Sequence, residues 1–371
     1  VKIERVSTHV IMEELPIPFG MSQWFWTSRA SCLVEIETTD GTIGWGECFG
    51  PAEPNRALIE SVFADLVIGA DPWERISLWE AMYNKNREWG RKGLPIAAIS
   101  GIEIALWDIA GKQTGLPVYK LLGGRLPEEL AAYASGFYYG GEWKDDIEAE
   151  AAHLIGQGYR YVKMKIGADL PGDIARVTRA RAALGEDVQL AVDANRGYTP
   201  TEAMAFGRAT RDLNLWFFEE PVIPEDLDGY REVRSALDVP IAGGESEFTR
   251  WGMRQLMESR AVDVLQPDAT ACGGLREAVL IAEQASAHGI PTLPHVWGSA
   301  ITLAAGLHLA TALPVVTPSM GRAGPVIELD QAPNTFRDHL SSLDLGPVLH
   351  VPEGPGLGIE IDRSLIEAYR V

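Results

Sequence analysis

Tyr161-Val162-Lys163-Met164-Lys165-Ile166-Gly167 is a short run in which two lysines alternate with apolar residues at the period of a strand, and an amphipathic stretch at helical spacing follows it. The unit recurs. Val188–Asp193, Leu215–Glu219, Val239–Glu245, Val262–Asp268 and Ile290–His295 are further strand-like segments, each leading into a helical one. Repeated βα units predict an α/β fold with a parallel sheet. They continue too long in one chain to favour a short open sheet.

Each unit ends on a side chain that carries chemistry. Lys165, Asp193, Glu219, Glu245, Asp268 and His295 follow one another at 28, 26, 26, 23 and 27 residues, each interval being one strand, one helix and two loops. On neighbouring strands of a barrel they converge at the C-terminal mouth, where such barrels place active sites. Asp193, Glu219 and Glu245 are hard oxygen donors in a number that suits Mg²⁺, which keeps positions for water or substrate. The bland alternative is salt bridges to bases on neighbouring strands. Without a cation, however, three such acids would raise one another's pKa values. A single histidine and no clustered cysteine argue against structural zinc.

Lys163 and Lys165 share a strand face, and two adjacent ammonium groups are expected to lower each other's proton affinity, bringing one towards a usable base. Lysines facing solvent on an edge strand are the alternative. Asp268 and His295 end successive units, so the acid can orient one ring nitrogen while the other faces substrate; a satisfied core histidine is the plainer reading. Glu328, in Val326-Ile327-Glu328-Leu329-Asp330, is the candidate from the last strand. A protonated or hydrogen-bonded carboxyl there would share the charge of an enolate oxygen.

Towards the N-terminus, Ser31–Glu37 and Ile43–Glu47 flank Asp40-Gly41, a hairpin signal, after a short β-prone run at residues 2–11. Residues 18–26, rich in aromatics and aperiodic, are expected to form a loop folded over something, since exposing Trp24, Phe25 and Trp26 is costly. Ile96–Lys112 is apolar at helical spacing and stops at Gly115-Leu116-Pro117. These segments predict an α+β domain over 1–125, a barrel over 126–345 and a tail over 346–371, whose alternating Gly356–Ile361 is expected to return to the first domain as a strand.

A chain of 371 residues, 46% hydrophobic, accommodates one barrel of about 250 residues and a smaller domain. A formal charge of −20 without a basic run makes nucleic acid or an anionic membrane a poor partner. Any small anionic substrate must be captured by local cations or a metal. Three scattered cysteines, Cys32, Cys48 and Cys272, and a first decade without a signal-peptide pattern predict a cytoplasmic protein. Apolar stretches are interrupted by Gly, Pro, His or charge within about 18 residues, so no membrane span is expected.

Taken together the motifs resemble the enolase superfamily, specifically the mandelate racemase group, and most closely its sugar-acid dehydratases and galactarate cycloisomerase branch. The resemblance rests on VKMKIG at 162–167, VDANRGY at 192–198, WFFEEPV at 216–222, IAGGESE at 241–247, DVLQPDATACGG at 263–274, PHVWGSA at 294–300 and VIELDQAPNTFRD at 326–338. GWGECFGPAEPN at 44–55 and SGIEIALWDIAGK at 100–112 look like the capping-domain signature.

The resemblance implies a modified TIM barrel, (β/α)7β, under a capping domain built from both termini. It implies one Mg²⁺ on Asp193, Glu219 and Glu245, with Lys165 as base on one substrate face and the His295–Asp268 dyad on the other. Glu328 would hydrogen-bond the enolate, Asn195 would support metal or substrate, and Glu220 and Glu247 would be neighbours of ligands. The implied reaction removes the proton α to a sugar acid's carboxylate, followed by β-elimination to a 2-keto-3-deoxy acid; opening of a lactone ring or racemisation are alternatives. A homo-oligomer, dimer or octamer, is also implied. Trp24, Trp26 and Phe49 are candidates for excluding water, and Arg29, Arg87 and Arg91 for contacts to hydroxyls or a distal carboxylate. Outside the family, a retaining glycosidase would need two carboxylates about 5 Å apart and no lysine pair. A sugar-acid binding protein would show no α-proton exchange.

Overall fold

The structure, a computed structural model, describes residues 1–316 and 325–371. Its strands, among the described residues, are β1 (Ile3–Gly20), β2 (Phe25–Thr38), β3 (Ile43–Cys48), β4 (Leu130–Gly136), β5 (Tyr139–Gly140), β6 (Tyr161–Lys165), β7 (Gln189–Asp193), β8 (Leu215–Glu219), β9 (Ile241–Gly243), β10 (Val264–Leu265), β11 (Val326–Asp330) and β12 (Val348–Leu349).

The first sheet is antiparallel in the order β3-β2-β1-β5. β1 runs through Gly20, so the aromatic segment expected to be a loop is largely a hairpin. Phe19 pairs with Trp26 and Gly20 with Phe25, leaving a turn closed by the Met21 N–H on the Trp24 carbonyl at 3.1 Å. A register shift between Glu14 and Phe19 breaks the alternation, which is why these aromatics show no single period. Trp24 and Phe25 remain 47% and 55% exposed, against the expectation that they are covered.

Helix Leu94–Thr114 packs along β3. Contact is close because β3 carries glycines: a Cβ at Gly46 would stand 1.9 Å from the Gly101 carbonyl oxygen, so any side chain there would push the helix off. On length and composition this helix could cross a membrane, but 89% of its apolar window is buried inside the molecule. It is a core helix.

The second sheet curls in the order β10-β9-β8-β7-β6-β4-β11, parallel throughout. Helices lie between successive strands. The eighth stave is Ile290–His295, which forms one bridge, Leu265 to Thr292, rather than the expected strand. Pro291 and Pro294 explain this, since proline offers no ladder donor. The stave is linked onward to β11 by the Val296 N–H, which donates to Glu328 Oε2 at 3.1 Å. Pro240 and Pro267 likewise border β9 and β10, both shorter than the runs in the sequence.

After the barrel, β12 adds antiparallel to β4. Residues 356–361 are not a strand. Gly356 and Gly358 take φ of +73° and +67°, a left-handed backbone, and only Gly356 bridges, to Pro117. The chain returns to the first sheet through helix Arg363–Tyr369 and a bridge from Arg370 to Ile11.

Candidate active site

Register places the site. Lys165 pairs with Asp193 and Asp193 with Glu219, so β6, β7 and β8 present these residues at one level of the barrel mouth. Glu219 pairs with Ala242 on β9, and Glu245 arrives three residues later through Gly244, whose φ of +131° suits glycine. Carboxylate oxygens of Asp193, Glu219 and Glu245 lie within 4.8 Å of one another.

Lysines thread this acid cluster. Lys163 Nζ is 2.8 Å from both Glu219 Oε1 and Glu328 Oε1 and 3.8 Å from Asp193 Oδ2, while Lys165 Nζ is 2.5 Å from Asp193 Oδ2. Burial disfavours both ammonium charges, yet the surrounding carboxylates outweigh it and hold both lysines above their ordinary pKa. Lys163 does lower Lys165, as expected, but Asp193, Glu245 and Glu219 on neighbouring strands outweigh that depression, so neither lysine is brought towards neutrality by the other. Burial would also raise Glu328, but Lys163, then His295 and Lys165, bring it down to about 2. Glu328 is thus an ionised acceptor, not the protonated carboxyl of the first alternative.

Glu219 is pushed well up, by burial and then by Asp193. Asp193 would also be raised by burial, but Lys165 and Lys163 hold it low. Glu245 Oε2 and Asn195 Oδ1 are buried without a hydrogen-bond partner, an unusual deficit in a folded chain. Three converging hard acids, one of them disfavoured as an anion by the others, together with orphaned oxygens, fit a divalent cation of the Mg²⁺ type. Asn195 donates its N–H to Asp193 Oδ1 at 2.8 Å from a left-handed φ of 43°, a strained posture for asparagine next to a ligand.

On the far side, His295 Nδ1 is 2.7 Å from Asp268 Oδ2 and its Nε2 is 3.5 Å from Glu245 Oε2. Asp268 is itself fixed by the Thr270 N–H at 2.6 Å and hydroxyl at 2.5 Å. Burial opposes the imidazolium, but Glu245 and Asp268 raise His295 to about 10.

Part of this cluster borders a cavity of about 630 Å³. Lys165, Asn195, Glu245 and His295 line it, together with Trp24, Trp26, Arg29, Phe49, Tyr138, Arg196 and Trp297. Lys163 and Glu328 are buried, with side chains at most 2% exposed, and do not reach its wall. Arg29 pairs with Asp330 Oδ2 at 2.5 Å and sits 4.5 Å from the Trp297 ring and 5.1 Å from Phe19. Arg87 and Arg91 are elsewhere: they line a separate groove with Trp89 and Trp251.

Three residues not singled out in the sequence belong here. Gln266 donates from Nε2 to Glu219 Oε2 at 2.6 Å; its place two before Asp268 was a signal for the same strand face. Arg196 donates to Ser246 Oγ at 2.9 Å, with Nε 3.4 Å from Glu220 Oε2, and its place three after Asp193 was a weaker signal. Tyr138 donates to Asp330 Oδ1 at 2.9 Å, with nothing in its sequence context to announce it.

Known families account for nearly the whole chain. Residues 5–123 match the mandelate racemase / muconate lactonizing enzyme N-terminal domain, and residues 146–365 match the enolase C-terminal domain-like family. The chain belongs to the mandelate racemase/muconate lactonizing enzyme family of the enolase superfamily. Among curated members of this family it is 40% identical to D-galactarolactone cycloisomerase of Agrobacterium fabrum, over 100% of this chain and 99% of that one. It is 39% identical to arabinonate dehydratase of Saccharolobus solfataricus, over 91% and 89%. Among solved structures, 3,6-anhydro-D-galactonate cycloisomerase from Zobellia galactanivorans superposes with a TM-score of 0.91 at 35% identity, covering 100% of both chains. Asp193, Glu219 and Glu245 match the Mg²⁺ site of this superfamily, and the chain is an enzyme of its lyase and isomerase type.

Proposed function

We propose that this enzyme removes the proton α to the carboxylate of a sugar acid in a Mg²⁺-dependent reaction and then expels the β-oxygen, giving a 2-keto-3-deoxy acid. One observation carries the proposal: Lys165, Glu245 and His295 line a single cavity, with Asp193 and Glu219 clustered against Glu245 and Asp268 bonded to His295 just behind its wall. An α-proton beside a carboxylate is a very weak acid, because its removal concentrates charge on two oxygens. Asp193, Glu219 and Glu245 would hold Mg²⁺, which would supply positive charge to offset that concentration. Lys165 and His295 divide proton removal and protonation of the departing oxygen, in an order set by the substrate's configuration; the triad's negative charge holds both protonated, and a cation on the triad would offset that charge and free one of them as the base. Asp268 holds the imidazole through Nδ1, leaving Nε2, 3.5 Å from Glu245 Oε2, for that transfer. Glu328 keeps Lys163 charged beneath the reacting carboxylate. Trp24, Trp26 and Phe49 limit water.

A second reading, opening of a sugar-acid lactone or anhydro ring, has its own support. Among the described residues lining the cavity, Lys165, Arg29 and Arg196 each already face a carboxylate: Asp193, Asp330 and Glu220. No unpaired cation among them awaits a second acid group. Trp26 and Trp297, with rings 5.4 Å apart, offer an apolar wall suited to the C–H face of a ring. The ring oxygen then departs in place of hydroxide and stays within the molecule.

Open-chain sugar acids and their lactones, incubated with Mg²⁺ in D₂O and followed by NMR, test both readings. Deuterium at the β carbon of a keto-acid product, or at the α carbon of recovered substrate, is expected. Failure of every acid and lactone to exchange or convert would remove the proposal, and preference between the two substrate sets selects the reading. Cytoplasmic placement and self-association complete it. Three free, buried cysteines support the first, and the exposed Trp89 and Trp251 beside one groove support the second; a monomer in sedimentation velocity would count against it.

A further inference from the structure

Glu47 lies at the end of β3, in the first sheet, yet its carboxylate belongs structurally to the barrel. It accepts the Ser299 N–H at 3.1 Å, the Ser299 hydroxyl at 2.5 Å, the Thr302 N–H at 3.2 Å and the Thr302 hydroxyl at 2.6 Å. Ser299 is the N-cap of helix Ala300–Ala310, so a carboxylate from another domain occupies the positive end of this helix. Glu47 is 3% exposed, and its charge is met there entirely by hydrogen-bond donors of residues 299–302.

Those residues follow His295 directly. Segment 295–299 is held at its start by the Val296 N–H on Glu328 Oε2 and at its end by Glu47. It forms no ladder, the one bridge of this stave being at Thr292, so these two carboxylates, with Asn334 donating to the Gly298 carbonyl at 2.8 Å between them, supply the anchorage that strand pairing would otherwise give. Two residues after Glu47, Phe49 sets its ring edge-on to His295 at 5.7 Å and donates its N–H to the Thr270 carbonyl at 3.1 Å. Thr270 in turn fixes Asp268. The end of β3 therefore touches the supports of both members of the dyad.

We infer that Glu47 is a positioning residue for the dyad: by clamping residues 299–302, the first sheet sets where His295 stands relative to the cavity. The sheet is thereby part of the acid–base apparatus as well as a cover. This rests on His295 acting in proton transfer, as proposed above, and the test keeps the two apart.

Glu47→Gln retains size but swaps one acceptor oxygen for a donor facing donors. A displacement near 1 Å at a catalytic group can cost about 100-fold, so kcat is expected to fall about 10- to 100-fold while KM moves less than about threefold. Deuterium exchange at the α-carbon by Lys165 should persist, as in His295→Asn, and Glu47→Gln combined with His295→Asn should be no worse than His295→Asn alone. A Ser299→Ala/Thr302→Val double variant leaves the Glu47 charge and both backbone contacts in place. It should show the same pattern in weaker form, and it carries the test if Glu47→Gln does not fold. Wild-type kcat in the folded variant overturns the inference. So does loss of exchange together with turnover, or a further loss on top of His295→Asn. Normal conversion by His295→Asn would instead overturn the reading of the dyad.

Discussion

Lys165 and Asp193 are register partners on adjacent barrel strands, and their side chains meet at 2.5 Å between Nζ and Oδ2. Two positions back on the same strand face, Lys163 serves Glu219 and Glu328. Four carboxylates, Asp193, Glu219, Glu245 and Glu328, thus surround two ammonium groups. Fully ionised, the cluster is left with two negative charges, which one Mg²⁺ balances. The lysines differ in exposure: the side chain of Lys163 is wholly buried and that of Lys165 is 10% exposed and borders the cavity. Removing one partner of a buried pair costs about 3–5 kcal/mol because a charge is left behind. Lys163→Met should therefore lose about that much stability in guanidinium at saturating Mg²⁺, and Lys165→Met clearly less, while abolishing its share of α-proton exchange. Equal stabilities for the two variants would contradict this division.

Burial, and then Asp193, push Glu219 well away from ionisation, and a divalent cation would relieve that repulsion. Glu219→Gln should weaken Mg²⁺ binding by about 100-fold or more, beyond the range seen for residues that merely support ligands. Calorimetric titration reads this directly. Chelation should lower the unfolding temperature of the wild type, since an ion that binds only the native state stabilises it by mass action. The variant should respond little; an undiminished response would remove Glu219 from the ligand set.

Gln266 reaches the same carboxylate from the adjacent strand end, donating to Glu219 Oε2 at 2.6 Å. Loss of such a support costs about 10- to 100-fold in metal affinity. Gln266→Leu should show that loss with its unfolding temperature in chelator close to wild type. Unchanged affinity would mean that Glu219 is oriented without it.

How far the sequence was legible follows from the reach of its signals. Strand period and the spacing of βα units are local, and they sufficed to place Lys165, Asp193 and Glu219 at one level. The same spacing places the eighth stave, Ile290–His295, but not its lack of pairing, because Pro291 and Pro294 remove the donors of a ladder. The alternation at 356–361 misled for a related reason: Leu357 is buried, but the glycines beside it turn the chain out of extended structure. Charge balance was misjudged because the spacing brings Lys165 and the acids to one mouth without giving their distances, and at 2.5 Å Asp193 outweighs the neighbouring lysine. Arg29 with Asp330, 301 positions apart, and Glu47 with Ser299, 252 apart, leave no local trace.

Glu150, on helix Ile147–Gln157, is buried and accepts the Phe137 N–H at 2.6 Å. Burial pushes its carboxyl from 4.5 up to about 7, with that N–H and Arg176 pulling the other way. Because the native value lies above the unfolded one, the native state holds an extra proton between these pH values. The stabilisation is full below 4.5 and is lost as pH rises through about 7. A shift of this size corresponds to roughly 3 kcal/mol. Glu103, also raised to about 7 by burial, contributes in the same window. Glu150→Gln keeps an acceptor oxygen for Phe137 and does not ionise. Its stability should match wild type near pH 4.5, decline less as pH rises, and exceed wild type at pH 8 by up to roughly 3 kcal/mol. Denaturant unfolding at both pH values measures the difference, and parallel pH dependence in the two proteins would show that Glu150 is already ionised in the native state at neutral pH.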